Sequence, residues 1–178
     1  MPNLVMRPAR SDDADRLRAW DEKPHIMEIM GENGRTDWDR KLARDPSWRW
    51  LFIAEMEGNP IGIVQIFDPA EEEPRYWGEV EPNLRAIDIW IGEEEYIGRG
   101  FGTAMMAFAL AHCFDKTGVT AVLIDPLASN MNARRFYEKM GFEQVGPRRF
   151  GRDDCMVYRL ERERWRTMPP KPETDVMT

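Results

Sequence analysis

Three alternating glycines in the middle of the chain constrain its fold more than any other feature. Gly98, Gly100 and Gly102 follow an apolar run at residues 86–91 and precede a helical pattern at residues 103–116. A strand, a glycine turn and a helix in this order direct backbone N–H groups and a helix N-terminus towards a phosphate. We therefore expect this segment to bind a ligand that carries phosphate, and in particular a pyrophosphate.

Two other phosphate-binding patterns fit the sequence less well. A P-loop needs Gly-Lys-Ser/Thr after a four-residue gap, and the sequence contains no such run. A dinucleotide-binding fold needs G-x-G-x-x-G early in a βαβ unit and an acidic residue about 20 residues later. Here the spacing is G-x-G-x-G, and the acidic residue at that distance is Asp125, in an Asp-Pro turn. A plain turn before a helix stays open as a third interpretation.

The length of 178 residues suits one domain with a sizeable core. We expect a single domain over residues 1–165 and a disordered, proline-containing tail over residues 166–178. The chain has no run approaching the ~18 apolar residues of a membrane span, and its first residues lack the apolar core of a signal peptide. Because no such run is present, we expect no membrane partner. Cys113 and Cys155 are expected to be buried thiols, which predicts a reducing, cytoplasmic location.

The net charge of −7 argues against a nucleic-acid partner, because a nucleic-acid backbone requires a basic surface. Residues 68–95 hold ten acidic side chains against two arginines. One interpretation is a solvated acidic loop, which we expect for Glu71, Glu72 and Glu73. The other is a negatively charged entrance for a cationic substrate.

Short strands and helices alternate along the chain. Hydrophobic periodicity predicts strands at residues 4–7, 48–55, 61–67, 84–91, 121–124, 142–145 and 155–160, and helices at residues 12–20, 25–30, 37–44, 103–116 and 130–140. Ser11 is predicted to cap the first helix, and Gly141 to end the last one. The strand at residues 84–91 is apolar on both faces apart from Arg85 and Asp88, which predicts a central position in the sheet.

This order of elements, together with residues 129–142, resembles the GNAT superfamily of N-acetyltransferases. In that segment Asn-x-x-Ala is followed by Tyr-Glu-Lys-x-Gly-Phe, as in the family. The family's Gln/Arg-x-x-Gly-x-Gly/Ala signature maps to residues 97–102, where Ile97 stands in place of Gln or Arg. The resemblance covers roughly residues 3–160. It implies an α/β fold with a mixed, mostly antiparallel central sheet that is splayed in its middle and flanked by helices.

The resemblance also implies acetyl-CoA as the co-substrate and no metal. The two histidines and two cysteines lack the spacing of a metal site as well. In the family, the pyrophosphate binds N–H groups of the glycine turn, and the pantetheine arm pairs with the exposed edge of the splayed central strand. The cofactor-binding residues implied here are Ile89, Trp90, Ile91, Arg99, Gly100, Phe101, Gly102, Thr103 and Asn130, of which Asn130 is also a candidate helix cap.

A closer likeness is to the aminoglycoside 6'-N-acetyltransferase branch of that family. It rests on Asp88 and its distance from the glycine turn, on the Asp-Pro turn at Asp125, and on the segments at residues 25–28 and 77–79. The branch usually has two tryptophans where this chain has Ile29-Met30. The substrate-binding residues that the likeness implies are Asp88, Asp125, Trp77, Glu79 and His25.

Acetyl transfer to an amine requires one group that takes a proton from the ammonium and another that returns a proton to the leaving thiolate. The resemblance implies Asp88 for the first role and Tyr137 for the second. The alternatives are a structural Asp88 paired with Arg85 and a core aromatic at Tyr137. We therefore predict an acetyl-CoA-dependent N-acetyltransferase that modifies a primary amine of a small cationic substrate, such as the 6'-amine of an aminoglycoside.

Two other interpretations stay open. In one, the acceptor is a protein N-terminus, a polyamine or a siderophore precursor. In the other, the chain is a non-catalytic module that senses acyl-CoA. The sequence indicates neither the acceptor nor the oligomeric state.

Overall fold

The structure, a computed structural model, describes residues 4–32, 35–73, 75–169 and 176–177, the last two through their backbone alone. Its strands are β1 (Leu4–Pro8), β2 (Arg49–Met56), β3 (Asn59–Phe67), β4 (Leu84–Ile91), β5 (Ala121–Ile124), β6 (Glu143–Phe150), β7 (Asp153–Glu161) and β8 (Val176–Met177). They form one sheet in the order β6-β7-β5-β4-β3-β2-β1-β8. Within the described residues, the β4–β5 and β1–β8 pairs are parallel and the other neighbours are antiparallel.

The helices lie between these strands. They are α1 (Ala14–Asp21), α2 (Pro24–Met30), α3 (Trp38–Leu42), α4 (Phe101–Phe114), α5 (Met131–Lys139) and α6 (Arg162–Thr167). The apolar face of α4 is fully buried and packs in one cluster with residues of β1, β3, β4 and β5. The predicted mixed, mostly antiparallel sheet flanked by helices is therefore confirmed.

The central strand diverges from its neighbour as predicted. β4 pairs with β5 over Leu84 to Ala86, whereas its pairing with β3 continues to Ile91. β5 ends at Ile124, so the second half of β4 has no partner strand on that side among the described residues. The backbone edge from Ile87 onwards is thus open beside the end of β5.

Two local predictions were wrong. Ser11 does not cap the first helix, because it lies inside a 3₁₀ turn in which the Asp13 side chain accepts the Arg10 N–H at 2.7 Å. Asp13 is the residue before α1, and its side chain forms no capping hydrogen bond to that helix. β6 continues past Val145 to Phe150, whereas the sequence predicted a strand that ends at Val145. Pro147 is tolerated there because β6 is an edge strand with an irregular register between Gln144 and Gly146.

Other local predictions were confirmed. Glu57 and Gly58 both have positive φ, which gives the tight turn that joins β2 and β3. Gly141 has φ +97° directly after α5, and Cys113 and Cys155 are buried free thiols. The predicted tail over residues 166–178 falls largely outside the described residues.

Candidate active site

A cavity of about 430 Å³ opens where β4 and β5 diverge. Its walls come from β4, the end of β5, α5, α3 and the loop between β3 and β4. Of the residues predicted for the site, it brings together Asp88, Ile89, Trp90, Asp125, Asn130 and Tyr137. Parallel neighbouring strands that separate leave a crevice at their carboxyl ends, which is where this cavity lies.

Asp88 lies on β4 directly opposite Gln65 of β3. Burial raises the pKa of the Asp88 carboxyl, and the nearby charge of Lys41 opposes that rise. Arg85 does not pair with Asp88, because its guanidinium donates to Asp68 at 2.9 Å. The carboxyl group of Asp88 therefore faces the cavity with the elevated proton affinity that a general base for an ammonium group requires.

Asp125 follows β5 and faces the same cavity. Its Oδ2 accepts a 2.7 Å hydrogen bond from the hydroxyl of Tyr76. Burial, and then the negative charge of Asp88, raise the pKa of Asp125 to about 8, and the Tyr76 hydrogen bond opposes this rise. Tyr76 in turn stacks on Phe150, with the ring centroids 4.6 Å apart.

Glu72 is a cavity residue that sequence reasoning missed, because it was grouped with its solvated neighbours. Its Oε2 is buried and has no hydrogen-bond partner among the described residues. Burial and the charge of Asp88 raise its pKa to about 7. The turn is fixed by Asp68, whose carbonyl accepts the Glu72 N–H at 2.9 Å and whose carboxylate binds Arg85. The number of acidic residues in the loop was the only feature of the sequence that pointed to Glu72. It does not indicate which of Glu71 and Glu72 faces the cavity.

Lys41 on α3 is a second residue that the sequence did not indicate. Its ammonium group donates to Oε1 of Gln65, which is only 3% exposed, and lies 5.2 Å from the Trp38 ring centroid. Burial lowers its pKa, and Asp88 opposes that change. Lys41 therefore places a cation among the carboxylates of the cavity, which Arg49 also lines.

Tyr137 lies on α5 and lines the cavity, with 9% of its surface exposed. Burial, followed by the charges of Asp88 and Asp125, raises its pKa, so the phenol stays protonated. Asn130 accepts the Ala133 N–H at 3.1 Å and so caps α5, as one interpretation of the sequence predicted. Its other polar atoms remain available because it also lines the cavity.

The glycine turn lies beside the end of β4. A Cβ on Gly102 would be 3.9 Å from Cδ1 of Ile91. Gly98 and Gly100 have φ of +75° and +90°, and a Cβ on either would meet no atom within 4 Å. The Ala104 N–H bonds to the Gly100 carbonyl, so the N–H groups of residues 101–103 precede the first helical hydrogen bond of α4. These N–H groups and the open space beside them fit a phosphate.

Arg99, which was expected to add charge at this turn, is exposed. Its Nη1 donates to the Glu95 carbonyl at 3.3 Å, and its guanidinium lies 5.4 Å from the Tyr96 ring centroid. The side chain is thus held next to the turn by contacts that a phosphate could replace.

The structure does not bring Trp77, Glu79 or His25 to the cavity. Trp77 is 1% exposed and packs edge-on against Phe150, so the cavity receives its neighbour Tyr76 instead. Glu79 is exposed outside the cavity lining. His25 lies with Nε2 3.1 Å from the Ile91 carbonyl, where it links α2 to the end of β4.

Neither a metal site nor a membrane span is found in the part of the chain that the structure describes. No group of three His, Cys, Asp or Glu side chains there could hold a metal ion. No helix there is both long enough and apolar enough to cross a bilayer.

A splayed central strand, a glycine turn at a helix N-terminus and a cavity lined by Asp88 and Tyr137 fit an enzyme that transfers an acyl group to an amine. A family model described as an acetyltransferase (GNAT) domain matches residues 9–150, and the chain therefore belongs to the GNAT acetyltransferase family. The protein is an acetyl-CoA-dependent N-acetyltransferase.

Curated and solved relatives agree with this assignment. The aminoglycoside N(6')-acetyltransferase type 1 of Klebsiella pneumoniae is 28% identical over 156 residues, covering 81% of this chain and 76% of that protein. The lysine N-acyltransferase MbtK of Mycolicibacterium paratuberculosis is 25% identical over 149 residues, covering 82% and 67%. The crystal structure of aminoglycoside acetyltransferase AAC(6')-Ib with coenzyme A and kanamycin is 27% identical, with a TM-score of 0.80, and covers 93% of this chain and 99% of that one.

Proposed function

We propose that the protein acetylates the 6'-amine of an aminoglycoside such as kanamycin. The observation that carries this proposal is one cavity that holds the carboxyl groups of Asp88, Asp125 and Glu72 next to the phenol of Tyr137. Carboxylates bind ammonium groups, and an aminoglycoside carries several of them. The relatives whose names specify aminoglycosides support the same acceptor class.

Acetyl-CoA fits the opposite side of the same crevice. We assign its pyrophosphate to the N–H groups of Arg99, Gly100, Phe101, Gly102 and Thr103, with the Arg99 side chain adding charge. The pantetheine arm pairs with the open edge of β4 at Ile89, Trp90 and Ile91, and Asn130 supplies a side-chain hydrogen bond. This arrangement lays the thioester beside Asp88.

The reaction is a direct attack without an acyl-enzyme intermediate. Asp88 binds the acceptor ammonium and takes one proton from it, directly or through water. The neutral amine nitrogen attacks the thioester carbonyl carbon, and a backbone N–H near Ile89 stabilises the oxyanion. The C–N bond forms before the C–S bond breaks, and Tyr137 donates its proton to the leaving thiolate. Tyr137 then recovers a proton from the nitrogen of the new amide, and Asp88 releases to solvent the proton that it took from the ammonium.

The rest of the acceptor is held by the walls of the cavity. Asp125 binds a second ammonium group at the outer end of the cavity, and Tyr76 contacts the acceptor in place of Trp77, which the sequence had indicated as substrate-binding. Ile29 and Met30 line the cavity. They give it an aliphatic surface where the aminoglycoside branch usually has two tryptophans. We also propose that residues 1–165 form the single catalytic domain, and that the two buried thiols are kept reduced in the cytoplasm.

An acceptor screen tests the function. Purified protein is incubated with acetyl-CoA and, separately, with kanamycin, a polyamine, lysine or a peptide with a free N-terminus, and thiol release is followed. We expect saturable turnover with kanamycin and acetylation at the 6'-amine by mass spectrometry and NMR. Turnover confined to lysine, the polyamine or the peptide would identify that compound as the acceptor instead of an aminoglycoside. Coenzyme A binding without turnover on any amine would support the sensing module instead.

A further inference from the structure

The cavity proposed for a cationic acceptor is itself lined by a half-buried cation. Lys41 enters the cavity from α3, and its side chain passes over the Trp38 ring. The ammonium group donates to Gln65, which lies opposite Asp88 in the β3–β4 pair. This chain of contacts fixes a positive charge close to the carboxyl group that receives the reacting amine.

Hydrogen bonds at both ends of α3 fix the position of Lys41. Nη2 of Arg49 donates hydrogen bonds to the Lys41 carbonyl at 2.6 Å and to the Arg44 carbonyl at 2.7 Å. These two bonds hold the end of α3 against the cavity. At the other end of α3, Asp37 accepts the Arg40 N–H at 3.1 Å. A short helix capped in this way presents Lys41 with little freedom to swing out of the cavity.

Lys41 lies near the carboxylates of the cavity without forming an ion pair with them. Among the described residues, its ammonium forms no ion pair within 4.0 Å, so the oxygens of Asp88 and Glu72 stay open to a ligand. Burial lowers the pKa of Lys41, and the charge of Arg49 acts in the same sense, whereas the negative charges of Asp88, Glu72 and Asp21 favour the ammonium form. A like charge brought into the same low-dielectric space is repelled strongly, because interaction between charges there is several times stronger than in water.

We propose that Lys41 is a specificity-determining residue that disfavours acceptors carrying a second ammonium group across the sugar ring, or a comparable distance of about five carbons, from the reacting amine. The acceptor that fits best has a hydroxyl or another uncharged group at that place, and its further ammonium groups lie towards Asp125 and Glu72. This inference rests on the proposed function, and it narrows the acceptor class from any polycation to one with a defined placement of charge.

Kanamycin A and kanamycin B provide a matched pair of acceptors. They differ at one position of the sugar ring that carries the 6'-amine, where kanamycin A has a hydroxyl and kanamycin B an amine. The ratio of kcat/KM for B over A is measured in the wild type, Lys41→Met, Lys41→Arg and Arg40→Met. Since both values come from one enzyme sample, losses in folding, in acetyl-CoA binding or in the basicity of Asp88 cancel in the ratio.

We expect Lys41→Met to raise the B/A ratio about tenfold or more, because methionine fills the same volume without the charge. Lys41→Arg keeps the ratio near the wild-type value. Arg40→Met removes an exposed cation from the same helix outside the cavity and also leaves the ratio unchanged. An unchanged or lowered ratio in Lys41→Met, or an equal rise in Arg40→Met, would overturn the proposal.

A binding measurement separates this inference from the proposed function. Calorimetry on the coenzyme A-bound protein compares pentylamine with 1,5-diaminopentane, which differ by one terminal ammonium and need no turnover. If neither kanamycin is acetylated, the aminoglycoside function fails, and this comparison decides on Lys41. We expect Lys41→Met to tighten the diamine relative to the monoamine about tenfold, and no change in that preference would refute the role of Lys41.

Discussion

Tyr76 and Asp125, which are 49 residues apart in the chain, are joined by a 2.7 Å hydrogen bond at the mouth of the cavity. Tyr76 belongs to the acidic loop between β3 and β4, and Asp125 to the turn after β5. The hydroxyl is the donor, so the bond is strongest when Asp125 is ionised. The contact therefore couples the position of the loop to the charge of the acceptor cavity.

Removing that donor is expected to weaken acceptor binding in a pH-dependent way. In Tyr76→Phe the pKa of Asp125 rises further, because the hydrogen bond that favours its ionised form is lost. We expect kcat/KM for the acceptor to fall several-fold near neutral pH and to recover as the pH rises above about 9. The affinity for coenzyme A stays within about twofold. A profile parallel to that of the wild type would argue against the coupling.

The buried carboxyl of Asp125 is expected to make the fold less stable as the pH rises. Its pKa is about 8 in the folded state against an ordinary 3.8, so between these values the folded protein binds more protons than the unfolded chain. Stability then falls with increasing pH across that window, by at most about 1.4 kcal/mol per pH unit for one such group. Thermal unfolding of Asp125→Asn should show a weaker decline than the wild type. Glu72, Asp88 and Asp21, whose pKa values are raised in the same sense, contribute to the remaining slope.

Asp88→Asn separates chemistry from cofactor binding. The amide keeps the shape of the side chain but accepts no proton, so we expect kcat to fall by about two to four orders of magnitude. Acetyl-CoA binding, measured by calorimetry, stays near the wild-type value because its N–H donors lie on the glycine turn and the edge of β4. A parallel loss of both would contradict the role of Asp88 as the proton acceptor.

Tyr137→Phe tests the proton donor. The ring remains and its packing beside Phe136 and Phe142 is preserved, so stability should change little. We expect kcat to drop about tenfold to a hundredfold while KM for the acceptor is unchanged. The drop should be smaller with a thioester whose thiol has a lower pKa, since a better leaving group needs less protonation. Unchanged turnover with acetyl-CoA would exclude Tyr137 from the reaction.

The sheet and the helices around it were predictable because they depend on local patterns. Short apolar runs gave β2, β3 and β4, and the apolar stripe after the glycines gave α4, although it begins at Phe101 rather than at residue 103. Asp88 and Tyr137 were predictable as well, because each stands in a motif of fixed spacing. That the two lie in one cavity follows from the parallel pairing of β4 with β5.

The acceptor side of the cavity was not predictable in the same way. Glu72 and Lys41 come from a loop and a five-residue helix, where no periodicity indicates which side chains turn inwards. Tyr76 and Trp77 are neighbours of similar chemistry, and only the packing of Phe150 decides that the tryptophan is buried and the tyrosine reaches the cavity. Long-range packing thus determines which loop and α3 residues line the cavity, while local motifs were enough to indicate Asp88 and Tyr137.

The glycine turn offers a test with an internal control. Gly100 and Gly58 both adopt left-handed φ, +90° and +80°, and a Cβ on either would meet no protein atom within 4 Å. Gly→Ala at each should therefore cost a similar amount of stability, about 1 kcal/mol, from backbone strain alone. Gly58 lies in the β2–β3 turn, away from the cavity, so Gly58→Ala should bind coenzyme A as the wild type does.

Gly100→Ala differs because its new methyl group stands where we place the pyrophosphate. We expect the dissociation constant for coenzyme A to rise at least about tenfold, and that for the acceptor to change little. Pantetheine, which lacks the pyrophosphate, should bind the two variants equally. Equal binding of pantetheine would show that Gly100→Ala blocks the phosphate site and does not distort the helix. Equal coenzyme A affinity in Gly100→Ala and Gly58→Ala would mean that the nucleotide approaches the protein by another route.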